Sequence, residues 1–287
     1  MVGSRYAFLV AGTALTLAGC ASGPAKHSPD GVGPVSAEAR NKLANANPEG
    51  LVRVGEGFER AGDYVGAIAL YEQALAAAPD LLSARVAMAR VLVPLGKVEA
   101  AISQLTLLLQ DHPQSREVRA ELVEALTAAG KYEAASLAFA PLVNAAAGSD
   151  ILDLAGRLAY VAGDKDGARK HFDASLRLNP THGDTLNHLA LSYAIEGEYE
   201  AAVAILRKAM DNPLVQLQAQ RSLASIYAIS GQKDAAQHIA RGAMTAEEAN
   251  RLATFFELLP RLNAQEQAEA LMFDRIPKSA IERLRRP

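Results

Sequence analysis

Tryptophan is absent from this chain of 287 residues, and the aromatic content is only 5%. Aromatic and β-branched side chains are enriched in strands, and aromatic rings form the surfaces on which single-stranded nucleic acid bases stack. Their scarcity, beside abundant alanine, disfavours a β-sandwich and a base-stacking protein. The net charge of −3 likewise gives no sign of a strongly basic surface for nucleic acid.

Only one cysteine, Cys20, is present, and it follows an apolar stretch from 6 to 17 that is preceded by Arg5. This stretch is too short to span a bilayer comfortably, so residues 1–19 are predicted to be a signal peptide. Leu17-Ala18-Gly19-Cys20 resembles the bacterial lipobox, which implies cleavage before Cys20 and acylation of this cysteine, for example with palmitate. An ordinary secretory signal or an uncleaved anchor are the alternatives, but a lone thiol in an exported protein favours the lipoprotein.

The residues that follow predict where the protein is held. Ala21 occupies the position after the cysteine, and by bacterial sorting rules the lack of aspartate there indicates the periplasmic face of the outer membrane. Glycine and proline recur up to Pro34 without helical periodicity, so residues 20–47 are interpreted as the lipidated cysteine and a flexible linker.

A repeat dominates the rest of the chain. Glycines recur at intervals of 33 or 34 residues, and an alanine follows each glycine by five positions. The pairs are Gly62/Ala67, Gly96/Ala101, Gly130/Ala135, Gly163/Ala168, Gly197/Ala202 and Gly231/Ala236. This period is typical of tetratricopeptide (TPR) repeats. Residues 48–244 are therefore predicted to form six helix-turn-helix repeats of an all-α, right-handed TPR solenoid.

The first repeat illustrates the expected packing. Leu51, Val54, Gly55 and Phe58 have helical spacing and predict one buried stripe. Gly55 is expected to let the two helices approach closely, with Phe58 and Tyr71 filling the space beside it. In the second repeat, Pro94 is expected to end or kink the first helix near Val93.

No catalytic pattern is apparent, and the chain is predicted not to be an enzyme and to bind no metal or cofactor. The histidines form no H-E-x-x-H or Cys/His pattern, and no nucleophile elbow or phosphate-binding loop is present. His182 and His188 flank a predicted helix start and are interpreted as surface or capping residues.

TPR solenoids resemble one another in lining a groove with the first helix of each repeat. The residue after the small packing position of that helix faces the groove, and in this chain the six residues are Glu56, Arg90, Glu124, Arg157, Leu191 and Ser225. The first four alternate in charge. Either they form a ladder of exposed salt bridges, or they bind a peptide that carries both charges, and these interpretations are compatible.

Asn187 and Arg221 lie one turn earlier on their helices. Together with Arg157 they form a candidate site for a carboxylate, which resembles only loosely the carboxylate clamp of chaperone-binding TPR domains because the lysines are missing.

The C-terminal part, 245–287, is predicted to be a capping helix followed by a tail. Capping boxes are expected at Thr245–Glu248 and at Ser279–Glu282, and a further helix start is expected at 263–266. Phe255 and its neighbours Leu258 and Leu259 are expected to cover the last repeat.

The stretch from Arg221-Ser222-Leu223-Ala224 through Tyr227 and Gly231 to Phe255 resembles the TadD family, the TPR lipoproteins of tight-adherence (Flp) pilus assembly systems. This resemblance implies an outer-membrane protein that assists pilus assembly and contacts other proteins of the machine, such as a secretin. A pilotin-like lipoprotein of type IV pili and a periplasmic scaffold for cell-envelope enzymes are the alternatives.

Overall fold

The structure is a computed structural model that describes residues 47–144, 147–213 and 215–285. The predicted signal peptide, the lipobox with Cys20 and nearly all of the predicted linker lie outside the described residues. The chain divides into two compact units, 1–84 and 85–287. All regular structure within the described ranges is helical, as the sequence predicts.

The first unit contains one helical hairpin, α1 (Pro48–Arg60) and α2 (Tyr64–Ala77), and the start of α3. Asn47 caps α1 by accepting a hydrogen bond from the Gly50 amide, and Asp63 caps α2 in the same way. Gly55 is packed so tightly against the Tyr71 ring that a Cβ atom there would overlap the ring. The expected close approach of the helices is therefore present.

Two members of the predicted buried stripe are not buried. Val54 is 45% exposed and Phe58 is 41% exposed, whereas Leu51 and Tyr71 are 1% and 0% exposed. The prediction of burial was wrong for both residues, because helical spacing defines a face broader than the contact with α2. Phe58 nevertheless packs against Gly66 of α2, where a Cβ atom would lie 2.6 Å from its ring.

The second unit continues the series of hairpins. Its helices are α3 (Leu82–Leu92, which begins in the first unit), α4 (Val98–Asp111), α5 (Arg116–Ala129), α6 (Tyr132–Phe139), α7 (Ser149–Val161), α8 (Lys165–Leu178), α9 (Gly183–Ile195), α10 (Tyr199–Met210), α11 (Gln216–Ile229) and α12 (Lys233–Ala243). The odd-numbered helices are the first helices of the repeats. Each of α7, α9 and α11 packs against the helix that follows it.

The glycine and alanine of each repeat have separate structural roles. All six repeat glycines have a positive φ, between 75° and 93°. This left-handed conformation ends the first helix at low cost only in glycine. The six alanines that follow them are all 0% exposed, so a larger side chain there would push the paired helices apart. The predicted repeat register is confirmed.

Proline accounts for the irregular repeats. α3 ends at Leu92 and Pro94 lies in the following turn, as the sequence predicts. α6 has only eight residues, because Pro141 converts the end of that helix into a 3₁₀ turn, Ala140–Leu142. The sequence analysis did not anticipate this shortening.

Three helices follow the repeats: α13 (Ala246–Leu258), α14 (Ala264–Met272) and α15 (Lys278–Arg285). Complete capping boxes open α13 at Thr245/Glu248 and α14 at Asn263/Glu266. α15 already includes Lys278, so Ser279 lies inside its first turn and the predicted third capping box was wrong. α13 packs on α11 and α12, and its buried aromatic residue is Phe256 rather than the predicted Phe255.

Candidate polypeptide-binding face

The first helices of the second unit present a common side, called here the first-helix face. Its residues are Arg90 of α3, Glu121 and Glu124 of α5, Arg157 of α7, Asn187 and Leu191 of α9, and Arg221 and Ser225 of α11. α9 packs against both α7 and α11, which brings these helices side by side. Glu56, the remaining predicted groove residue, belongs to the first unit and is half-buried there.

Hydrogen bonds one repeat apart fix the register of this face. His182 Nε2 lies 2.8 Å from Asp150 Oδ1, and Gln218 Nε2 donates to Asp184 Oδ1 over 2.6 Å. Each pair joins the first turns of successive first helices. His182 also caps α9, as predicted, by accepting from the Thr185 amide.

The α3–α5 part of the face is open to solvent. Arg90 forms an ion pair of 3.4 Å with Glu121, while Glu124, one turn later on α5, is exposed. A cross-helix charge pair is therefore present, and it includes Glu121, which the sequence analysis did not name. Such partly exposed pairs contribute up to about 1 kcal/mol.

The α7–α11 part of the face is covered. Asn187 is 2% exposed, Leu191 5% and Ser225 8%. Arg221 donates a hydrogen bond of 3.0 Å to Glu248 of α13. Of the predicted carboxylate-binding residues, Asn187 is thus covered and Arg157 is half-buried, whereas the Arg221 side chain remains 46% exposed beside Glu248.

Residues 264–275, called here the C-terminal segment, provide the cover. Its helix α14 packs against α7 and α9. Gln265 Nε2 donates to the carbonyl oxygen of Val161 at the end of α7 over 2.8 Å. The segment buries one side on the repeats, namely Gln267, Ala268, Ala270, Leu271 and Met272.

The end of the segment makes both aromatic and polar contacts. The Phe273 ring stacks on Tyr132 with 5.2 Å between ring centroids, and the Arg157 guanidinium lies 4.6 Å from the centroid of the Phe273 ring. Arg275 Nη1 donates to the carbonyl oxygens of Thr127 and Ala128 over 3.0 and 2.7 Å.

Asp274 lies between Phe273 and Arg275 in the chain and has a positive φ of 51°. Aspartate is among the residues that tolerate this conformation. Burial away from water raises the pKa of Asp274. This effect is larger than the attraction of His188, Arg157 and Arg221, which lowers the same pKa. A carboxylate from this chain thus lies within electrostatic range of two of the three residues predicted to bind one.

A buried ion pair supports the same part of the face. Asp153 of α7 is 4% exposed, with Oδ1 lying 2.9 Å from His188 Nδ1 and Oδ2 lying 3.9 Å from Arg157 Nη1. Burial raises the pKa of Asp153, but the charge and hydrogen bond of His188, with Arg157 and His182, lower it below its ordinary value. The interpretation of His188 as a surface or capping residue was wrong.

Tyr132 lies beneath the C-terminal segment. Burial, together with the nearby Glu269 carboxylate of α14, raises the pKa of Tyr132 to about 12. The Glu269 carboxyl also loses water against the repeats, which raises its pKa. The phenol therefore remains neutral at physiological pH.

Within the described ranges, no cluster of three histidine, cysteine, aspartate or glutamate side chains could hold a metal ion. The same residues contain no helix that is both long and apolar enough to cross a bilayer. The arrangement presents charged, amide and aromatic groups on one side of a helical array, which is suited to polypeptide contacts.

Comparison with protein families agrees with this architecture. Models of the tetratricopeptide repeat match residues 60–115, 95–158 and 154–213. The chain is a tetratricopeptide repeat protein. TPR proteins act as protein–protein interaction scaffolds, and the fold is typically non-enzymatic. A search of curated protein sequences finds no significant match.

Solved TPR structures share the fold at low sequence identity. A TPR protein from Parabacteroides merdae is 18% identical, with a TM-score of 0.64 over 83% of this chain and 96% of that chain. PilF from Pseudomonas aeruginosa is 16% identical, with a TM-score of 0.54 over 75% and 99%. YrrB, described as a TPR protein with an unusual peptide-binding site, is 20% identical, with a TM-score of 0.50 over 64% and 98%.

Sequence reasoning did not find the C-terminal segment as part of the site. The helix start at 263–266 was anticipated, but no local pattern shows that Phe273 returns to Tyr132 or that Arg275 returns to α5. These contacts join residues more than 100 positions apart. The only available signal was an apolar helix side beyond the last repeat, followed by an aromatic residue and an arginine.

Proposed function

We propose that this TPR protein is an outer-membrane lipoprotein that scaffolds other proteins and assists Flp pilus assembly or the localisation of its secretin. The observation that carries the proposal is the first-helix face, which combines an open, charged part with a part that already binds a polypeptide segment. A lipid anchor at Cys20, following Leu17-Ala18-Gly19, would hold this face beside the membrane.

The binding role has structural support. Arg157, Asn187, Leu191 and Arg221 lie on neighbouring helices of one unit, and Arg90 and Glu124 continue the face on α3 and α5. Arginine and amide side chains bind carboxylates and peptide groups, and the TPR fold presents such side chains in register. The partners would be proteins and, through the acylated cysteine, the bilayer, without nucleic acid.

The assignment to pilus assembly has a different basis. It depends on the resemblance of residues 221–255 to the TadD family, together with a lipobox in front of a TPR array. The fold similarity to PilF supports a pilotin-like lipoprotein as the second candidate. The neighbourhood of the gene distinguishes the two, since a Flp pilin, a secretin and a secretion ATPase beside it favour the first.

The proposal is tested in the native host with Cys20→Ala and with the double charge reversal Arg157→Glu/Arg221→Glu. We expect the first variant to leave the outer-membrane fraction and both variants to reduce surface Flp fibres and secretin multimers. Mass spectrometry of the wild-type N-terminus should show the fatty acids on Cys20.

Glu99→Lys is the control charge reversal, because Glu99 lies on α4, outside the first-helix face, and its 73% exposed side chain forms a solvated ion pair with Lys131 that contributes little to stability. It should leave fibres and multimers unchanged. Normal fibres and secretin multimers in a strain lacking the gene would contradict the role in pilus assembly. A wild-type protein that is soluble and carries no fatty acid would contradict the lipid anchor.

A further inference from the structure

The C-terminal segment contacts the first-helix face in the way a bound peptide would. Its helix begins with its own capping box at Asn263/Glu266, so its start does not depend on the repeats. Its contacts fall into an apolar helix side, an aromatic anchor and an arginine anchor. These are the elements by which helical and extended segments of separate chains are recognised.

The aromatic anchor is held on two sides. Phe273 lies against Tyr132 at 5.2 Å between centroids, with an angle of 27° between the rings, and Arg157 lies over it at 4.6 Å. Stacking and cation–π attraction both require a π system at this position. An aliphatic side chain would lose both interactions.

The arginine anchor uses the end of a helix. The last carbonyl groups of an α-helix lack the usual partner four residues on, and at the end of α5 Arg275 donates to two of them, Thr127 and Ala128. The Thr127 oxygen also accepts from the Gly130 amide. Gly130 follows, and the atoms nearest to a Cβ added there belong to the Arg275 guanidinium, at 3.5 to 3.8 Å. A guanidinium is favoured here over an ammonium because it is flat and more weakly hydrated, so it can lie against the glycine while Nη1 donates to both carbonyl groups.

The fit of the segment leaves polar groups on the face unpaired. Arg157 Nε and both amide atoms of Asn187 are buried without a hydrogen-bond partner among the described atoms. Asn187 lies on α9, against which α14 packs. Buried groups of this kind are normally paired, so a ligand that offers them donors and acceptors would bind better than the segment does.

We propose that the face between Thr127 and Leu191 recognises a partner segment with an aromatic residue followed, two positions later, by arginine, and that Phe273-Asp274-Arg275 occupies this site as an internal substitute. The partner must displace the C-terminal segment in order to bind. The inference rests on the binding face of the proposed function, but not on the role in pilus assembly.

The test uses the full-length protein in detergent and a fluorescein-labelled synthetic peptide of residues 263–285. In the wild type, the tethered segment competes at an effective concentration on the order of millimolar, so micromolar peptide should bind weakly. The variant Phe273→Ala/Arg275→Ala weakens the internal substitute and leaves the face intact. We expect it to bind the peptide at least about ten-fold more tightly in fluorescence anisotropy.

A peptide carrying the same two alanine substitutions is the matched control and should not bind either protein. Circular dichroism melting establishes that the variant remains folded. Equal affinity of the peptide for wild type and folded variant, or no binding to the folded variant, would overturn the proposal.

Hydrogen exchange of the wild-type protein provides a second test that needs no substitution. If the C-terminal segment is displaceable, the amides of α14 should exchange at least about ten-fold faster than those of α7 and α9, through local opening. Exchange of all three helices at one common, global rate would overturn the proposal. Normal Flp fibres in a strain lacking the gene, with intact peptide binding in vitro, would instead contradict only the cellular role.

Discussion

Two aspartate–histidine pairs connect α7 to α9, and they differ in their surroundings far more than in their geometry. Asp150 and His182 lie 2.8 Å apart at the start of the helices, and the Asp150 side chain is 93% exposed. Asp153 and His188 lie 2.9 Å apart one turn further on, and the Asp153 side chain is 5% exposed. Three residues along one helix thus separate a solvated pair from a buried one.

The comparison shows where charge matters in this protein. Water solvates Asp150 whether or not His182 is present, so that pair contributes little. Asp153 lies among buried side chains of α7 and α9 and depends on His188 and Arg157 for its charged form. Removing a partner from such a pair leaves an uncompensated buried charge, which is strongly destabilising.

The largest effect is expected from Asp153→Ala. Because it leaves His188 and Arg157 without their buried acceptor, the free energy of unfolding should fall by about 3 kcal/mol. Asp150→Ala, the matched change on the same helix, should lower it by less than about 1 kcal/mol. Urea unfolding followed by circular dichroism measures both variants, and equal losses would contradict the comparison.

Acidification should remove part of the stabilisation that the charge of Asp153 provides. The pKa of Asp153 is lower in the folded protein than its unfolded value of about 3.9, so the unfolded chain binds the proton first. The contribution is complete above the unfolded pKa and is lost as the pH falls through the folded pKa.

We therefore expect the stability difference between wild type and Asp153→Asn to shrink between pH 6 and about pH 3. Asparagine keeps the shape and one acceptor atom, which isolates the charge. Urea unfolding at each pH provides the measurement, and a difference that stays constant over this range would show that the charge of Asp153 adds no stability.

The sequence predicted the repeats because their signal is local and recurs. Gly130 and Ala135 illustrate why: a left-handed turn strongly favours glycine, and the tight contact five residues later admits only a small side chain. The same argument applies at every repeat, so six weak local signals reinforce one another. Helix α6 escaped prediction because Pro141 acts once and outside that pattern.

The candidate site was predicted less completely, for a physical reason. Residue spacing placed Arg157, Asn187 and Leu191 on one face, because Arg157 and Leu191 occupy equivalent positions in successive repeats and Asn187 lies one turn before Leu191 on the same helix. It could not show that Phe273 stacks on Tyr132, since that contact depends on how the chain returns after α13 and not on any local periodicity. The burial of Asp153 has the same origin, because residues distant in sequence determine it.

The smallest effect, and the sharpest comparison between paired and unpaired buried groups, comes from two tyrosines that are both 3% exposed. Tyr160 Oη donates to the Ser192 carbonyl oxygen over 2.9 Å and lies 3.2 Å from Glu196, whereas Tyr132 Oη forms no well-aligned hydrogen bond and lies near the Glu269 carboxyl and the Arg275 guanidinium. Tyr160→Phe should therefore lower the free energy of unfolding by about 1 kcal/mol. Tyr132→Phe should lower it by less than about 0.5 kcal/mol, because phenylalanine keeps the stacking on Phe273 and removes only these poorly aligned contacts. Urea unfolding at pH 7 measures both, and a larger loss for Tyr132→Phe than for Tyr160→Phe would mean that the Tyr132 hydroxyl has a bound partner, such as an ordered water molecule, beneath the C-terminal segment.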